Sequence, residues 1–178
     1  MPSILILQHY KENLRKCSLS HLRGDPGIEF RKLKVDRPAP QFRDLRGLVL
    51  VVGAPVLCRE DVGLIGVGRP LILLDSTWAK VDALLRNVET AAGDDSGELD
   101  RLVARGGDAD LCFRALPDGL ETAYPRKSKL FSDPGSGLAS IEALVVALEI
   151  LGMPAVGFLD SYRWKDEFLA RNQQVFSD

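Results

Sequence analysis

The chain has 178 residues, of which 46% are hydrophobic, 27% charged and 7% aromatic, with a formal net charge of -2. This composition excludes a disordered or low-complexity chain and suits one globular domain. No uncharged apolar run reaches the ~20 residues of a membrane span, and Cys17, Cys58 and Cys112 form no CxxC pair, which argues against a disulfide framework or a cysteine-rich zinc site. Ile4–Leu7 is a continuous apolar run and is predicted as a first strand. Leu14–Leu22 is predicted as a short helix, Ile28–Val35 as a second strand and Leu48–Val52 as a third, stopped by Gly53 and Pro55. Cys58–Ile65 is predicted helical, with Gly63, Gly66 and Gly68 as turn residues. Leu71–Leu74 is a fourth strand leading through Asp75-Ser76-Thr77 into a helix over Trp78–Val88. Residues 89–110 read as a Gly/Asp-rich surface excursion with a helical piece at Leu99–Ala104. Leu111–Leu116 is a fifth strand, and Asp118–Gly137 a long loop. Ser140 is placed to cap a helix over Ile141–Leu151. Pro154–Leu159 reads as a strand or connector, and Asp160 as the cap of a last helix carrying Trp164, Phe168 and Leu169.

Strands alternate with helices, and their cores are continuous apolar runs. That pattern predicts an α/β domain with a mostly parallel sheet covered by helices. Ligands of such sheets bind beyond the carboxyl ends of the strands. The opening Met1-Pro2-Ser3-Ile4-Leu5 lacks the pattern of a secretory signal, so a reduced, cytoplasmic setting is expected. Charge is uneven. Residues 1–46 carry ten Lys/Arg against five acids, a net of +5, whereas residues 82–110 carry three Arg against eight acids, a net of -5. A basic end and an acidic insert fit a polyanion-facing side and a solvated side.

Asp75 ends an apolar strand and precedes a helix, which places a carboxylate on a rigid element. As a helix cap alone it would tolerate Asn at a cost of no more than about 1 kcal/mol. Gly135-Ser136-Gly137-Leu138-Ala139-Ser140 is a glycine-rich turn before a helix, suited to a phosphate or carboxylate. It lacks the Lys-Ser/Thr of a P-loop. Tyr124-Pro125-Arg126-Lys127-Ser128-Lys129 puts an aromatic beside three cations, the combination used for base stacking and phosphate contact. His9 reads as a polar loop residue. No metal site is predicted.

Leu73-Leu74-Asp75-Ser76-Thr77-Trp78 resembles the Asp-x-[Ser/Thr]-Trp motif of the DTW-domain superfamily of RNA aminocarboxypropyltransferases. Leu7-Gln8-His9-Tyr10-Lys11-Glu12 is similar to an N-terminal segment of its tRNA branch, as are Thr122-Ala123-Tyr124-Pro125-Arg126 and Gly137-Leu138-Ala139-Ser140-Ile141-Glu142-Ala143. Arg15-Lys16-Cys17-Ser18, Arg114-Ala115-Leu116-Pro117 and Trp164-Lys165-Asp166-Glu167-Phe168-Leu169 resemble segments of the ribosomal branch. The order of the segments is kept along nearly the whole chain. The Cys-rich zinc segment of many tRNA-branch domains and the Asn-Pro segment of the ribosomal branch are absent, so the chain sits between branches.

The resemblance implies a single domain over residues 1–178 with a more divergent basic segment at about 1–46, and a knotted fold of SPOUT type. It implies transfer of a 3-amino-3-carboxypropyl group from S-adenosyl-L-methionine to N3 of a uridine or pseudouridine in structured tRNA or rRNA. Asp75 is the expected catalytic residue, as base or as orienter. An ordinary aspartate, with a pKa near ~3.9, is a weak base at neutral pH. Ser76, Thr77, Trp78, Leu116, Gly137, Leu138, Ser140 and Glu142 are the expected cofactor contacts. Lys16, Arg114, Tyr124, Arg126 and Lys127 are the expected RNA contacts. Neither DNA nor a membrane is an expected partner. The alternatives are an RNA methyltransferase on the same fold and a noncatalytic RNA-binding factor.

Overall fold

All five predicted strands are found in the computed structural model, which describes residues 3–12, 17–33, 45–76, 111–125 and 137–176. They are β1 (Ile4–His9), β2 (Ile28–Leu33), β3 (Gly47–Leu50), β4 (Leu71–Asp75) and β5 (Leu111–Arg114). They form one sheet in the order β2-β1-β4-β3-β5, and every pairing is parallel. All carboxyl ends therefore lie along one edge, which gathers His9, Asp75 and Arg114 from strands distant in sequence.

The two-residue period of the strands sorts their side chains. Ile4, Ile6, Leu71 and Leu73 pack in one apolar cluster with Ile141, Leu144, Val145 and Leu148 of helix α1 (Ser140–Ile150). Leu5, Leu7, Ile72 and Leu74 point the other way, into a second cluster with Val49 and Phe113. Burial on both faces of β1, β3 and β4 is why those three strand sequences show no polar alternation. β3 begins on Gly47, at φ +133, where an added Cβ would stand 2.2 Å from the Pro70 carbonyl oxygen. Only glycine allows β3 to start against that backbone.

Helix α1 starts one residue before the expected position, after Ala139. Alanine has no side-chain acceptor, so only the reverse half of a capping box exists: the Ala139 N–H donates to Glu142 Oε2 at 2.7 Å. The helix ends before Gly152, whose φ of +74 suits a left-handed stop. The segment expected as strand or connector is a 3₁₀ turn at Val156–Leu159. It is followed by α2 (Lys165–Arg171). Asp160 accepts from Lys165 Nζ at 2.6 Å instead of capping that helix. The helix expected near Cys58 is a 3₁₀ turn at Arg59–Leu64, and the one expected over Leu14–Leu22 is a 3₁₀ turn at Ser20–Leu22 within its described part.

The helices expected at Trp78–Val88 and Leu99–Ala104 lie outside the described residues. The knot implied by the resemblance is not among the features that the described residues establish. No helix among them is long and apolar enough to cross a membrane.

Candidate functional site

Side chains from β1, the loop after it and α1 converge on Asp75 at the carboxyl edge of the sheet. β4 carries the carboxylate there, buried at 6% exposure. Parallel register sets Gln8 of β1 beside it, and Gln8 Nε2 donates to Oδ2 at 2.7 Å. The Cys17 thiol donates to the same oxygen at 3.3 Å. Ser140 Oγ, from the first residue of α1, donates to Oδ1 at 2.6 Å. A buried carboxylate needs such donors to replace water. Burial first, and then the Asp75 charge, push the Cys17 thiol up to about 12. It is therefore protonated at neutral pH and acts as a donor, not as a nucleophile.

Gln8 is itself held from behind. Its Oε1 accepts from Arg23 at 2.6 Å, and the Arg23 guanidinium lies 4.2 Å from the centre of the Phe30 ring. With a cation on one side and a carboxylate on the other, only one orientation of the amide satisfies both neighbours. The Ser76 hydroxyl, next to Asp75, is buried and has no partner among the described residues. A carboxylate, and one residue on a hydroxyl still without a partner among the described residues, supply an acceptor for an ammonium group and a donor for a carboxylate group.

Glu142 sits one turn into α1 and is fully buried. Its Oε1 accepts from the Ala123 N–H at 2.9 Å and from Tyr162 OH at 2.9 Å. Its Oε2 accepts from Thr122 Oγ1 at 2.6 Å and from the Ala139 N–H. All four donors belong to the chain, and this carboxylate, expected on a cofactor, ties residues 122–123 and Tyr162 to the start of α1. Arg114, expected on RNA, is also engaged. Its Nε stands 2.9 Å from both oxygens of Asp61, and a terminal nitrogen lies 2.8 Å from Oδ1. Burial alone would push Asp61 up, but Arg114 and the Cys58 N–H outweigh it and hold the carboxyl below its usual range. The Tyr124 ring, expected to stack on a base, meets Trp164 edge-on at 5.1 Å between centroids.

Gly137 and Leu138 lead into α1, and Leu116 is half-buried against the core on the α1 side of the sheet. Ser76, Asp75 and Ser140 are thus brought to one edge. Thr77, Trp78, Lys16, Arg126 and Lys127 lie outside the described residues. His9 is corrected from loop to strand: it is the last residue of β1, buried, and its Nδ1 accepts the Lys11 N–H at 3.2 Å. Sequence reasoning missed Gln8, Arg23 and Asp61 as site-edge residues. For Gln8 the available signal was a polar residue closing an apolar strand. For Arg23 and Asp61 there was none.

No family profile matches this sequence, and no curated protein sequence matches it. Among solved structures, the chain is similar to "Structure of the SAM-dependent rRNA:acp-transferase Tsr3 from Vulcanisaeta distributa". The TM-score is 0.62 at 21% identity, over 97% of this chain and 79% of that one. The likeness establishes the α/β fold class with its parallel sheet.

Proposed function

We propose that this chain transfers the 3-amino-3-carboxypropyl group of S-adenosylmethionine to RNA, at N3 of a uridine or pseudouridine in tRNA or rRNA. The observation that carries the reading is the buried carboxylate of Asp75, held by three side-chain donors on the ligand-binding edge of a parallel sheet and followed in the chain by the Ser76 hydroxyl, which has no partner among the described residues. The fold shared with a SAM-dependent rRNA transferase supports it. When bound, S-adenosylmethionine supplies an electrophilic carbon next to its sulfonium, so that an N–C bond forms, a C–S bond breaks, methylthioadenosine leaves and the imide proton is lost.

Asp75 and Ser76 hold the amino-acid end of the cofactor: Asp75 accepts from the ammonium, and Ser76 donates to the carboxylate. Asp75 acts as an orienter, because Gln8, Cys17 and Ser140 fix its plane before any ligand arrives. Thr77, Trp78, Leu116, Gly137 and Leu138 complete the cofactor site, with Ser140 positioning Asp75 and Glu142 positioning the turn before α1. Lys16, Tyr124, Arg126 and Lys127 contact RNA in a single cytoplasmic domain whose basic side is residues 1–46.

The test is incubation with RNA and S-adenosylmethionine, followed by chromatography of the products. Methylthioadenosine is expected. S-adenosylhomocysteine would make the chain a methyltransferase, and a folded chain without calorimetric binding of S-adenosylmethionine would be a noncatalytic RNA-binding factor. Nucleoside mass spectrometry of tRNA and rRNA from cells with and without the protein names the RNA class.

A further inference from the structure

The register of the sheet puts three side chains in one row on its α1 side: Lys32 of β2 is paired with Gln8 of β1, and Gln8 with Asp75 of β4. Paired residues of parallel strands point to the same face. β2 is the outer strand, so this row runs from the edge of the sheet inward to Asp75. Lys32 is exposed. Arg23 joins it from the preceding turn, seated over Phe30, two residues before Lys32 and on the same face, and bound to Gln8.

The two faces of β2 differ in charge. On the opposite face Arg31 is neutralised by Glu29, its Nε 2.5 Å from the carboxylate. On the Asp75 face Arg23 donates to a neutral amide, and among the described residues no carboxylate cancels its charge. A guanidinium clamped by an aromatic plane on its face and an amide at one nitrogen has lost most of its conformational freedom, and its other N–H groups remain to meet an anion. Two cations that no described carboxylate pairs, one on the edge strand and one in the turn before it, end one side chain short of Asp75 and form a track for successive negative charges. Cations that read such a track fix register on a nucleic acid without reading its bases.

We propose that Arg23 and Lys32 hold the RNA backbone phosphates that flank the nucleotide presented to Asp75. The assignment rests on the transferase reading above and adds to it a binding track outside the residues 124–127 cluster.

The experiment measures binding of a fluorescently labelled RNA stem-loop by anisotropy over a series of salt concentrations, with calorimetry of S-adenosylmethionine in parallel. For Arg23→Ala and for Lys32→Ala the log–log salt slope is expected to fall by roughly 0.7 to 0.9 each, and by about twice that in the double variant. Arg23→Lys keeps most of the slope. Arg31→Ala, which removes the same charge from the opposite face, leaves slope and affinity near those of the parent. Cofactor affinity is unchanged in Lys32→Ala. An unchanged slope in the double variant of a parent that binds both RNA and cofactor overturns the track and leaves the transferase reading standing. Equal losses in Arg31→Ala and Lys32→Ala also overturn it, since net charge alone then explains the binding. A parent chain that binds no RNA overturns both proposals.

Discussion

Two carboxylates lie within reach of the first turn of α1, and both are buried, yet they are built differently. Glu142 is closed. Its four donors include two backbone N–H groups, and its exposure is zero. Among the described residues Asp75 takes three side-chain donors and no backbone one, and it faces the carboxyl edge of the sheet. Backbone donors make a joint that holds only one conformation of the chain. Side-chain donors from β1, the loop after it and α1 make a joint in which a polar group can still be presented to a ligand. The comparison separates a carboxylate that organises a loop from one that organises a site.

Breaking the closed joint is expected to cost most. Glu142→Ala strands four donors and is expected to lower the unfolding free energy by about 4 kcal/mol. Urea denaturation measures it, and a loss under about 1 kcal/mol would remove the structural role argued for this residue.

Breaking the open joint is expected to cost about 2 kcal/mol. In Asp75→Asn the amide oxygen can keep Gln8 Nε2 and the Cys17 thiol while the nitrogen donates to a Ser140 hydroxyl turned to accept, but three hydrogen bonds to a charged carboxylate become weaker neutral ones. This replaces the expectation of about 1 kcal/mol that follows from a helix cap alone. Transfer to RNA is expected to slow by about 100-fold or more, the scale of a misplaced reacting group. A stable variant that transfers at the parental rate would exclude Asp75 from the chemistry.

The Asp61–Arg114 pair offers a third carboxylate, as buried as Asp75 but paired to a partly exposed guanidinium, and is expected to contribute less. Asp61→Asn is expected to cost about 1 to 2 kcal/mol at pH 7. The folded state holds Asp61 below its usual 3.8, so the contribution is present above that pH and is lost as pH falls through the lower folded value. The stability gap between parent and variant should therefore narrow in acid. A gap that is constant from pH 7 to pH 2.5 would mean that Asp61 gains nothing from its charge.

The smallest effect concerns Cys17. Its thiol is buried and pushed up to about 12, whereas Cys58 is exposed. With a thiol reagent at pH 8, Cys58 should react in the native protein and Cys17 only after unfolding. Cys17→Ser should change stability by no more than about 1 kcal/mol, because a hydroxyl replaces the thiol as donor to Asp75. Rapid native labelling of Cys17 would show that the open joint is looser than its hydrogen bonds imply.

The strands, the α/β class and the place of Asp75 at a strand end were legible in the sequence, because each depends on neighbours within a few residues. Continuous apolar runs predict doubly buried strands, and a polar residue that closes such a run predicts an edge. The helix starts were less legible: the hydroxyl of Ser140 suits a cap, but Asp75 takes it. The partners of Arg114 and Tyr124 were not legible, because Asp61 and Trp164 are remote from them in sequence.

Only the tertiary structure decided what surrounds Asp75. Gln8 lies 67 residues away and Ser140 65, and they meet it because the strand order β2-β1-β4-β3-β5 sets β1 beside β4 and the carboxyl edge receives the start of α1. Local periodicity states which face of a strand is buried. It does not state which strand lies alongside or in what register, and those two choices determine which polar side chains share a site.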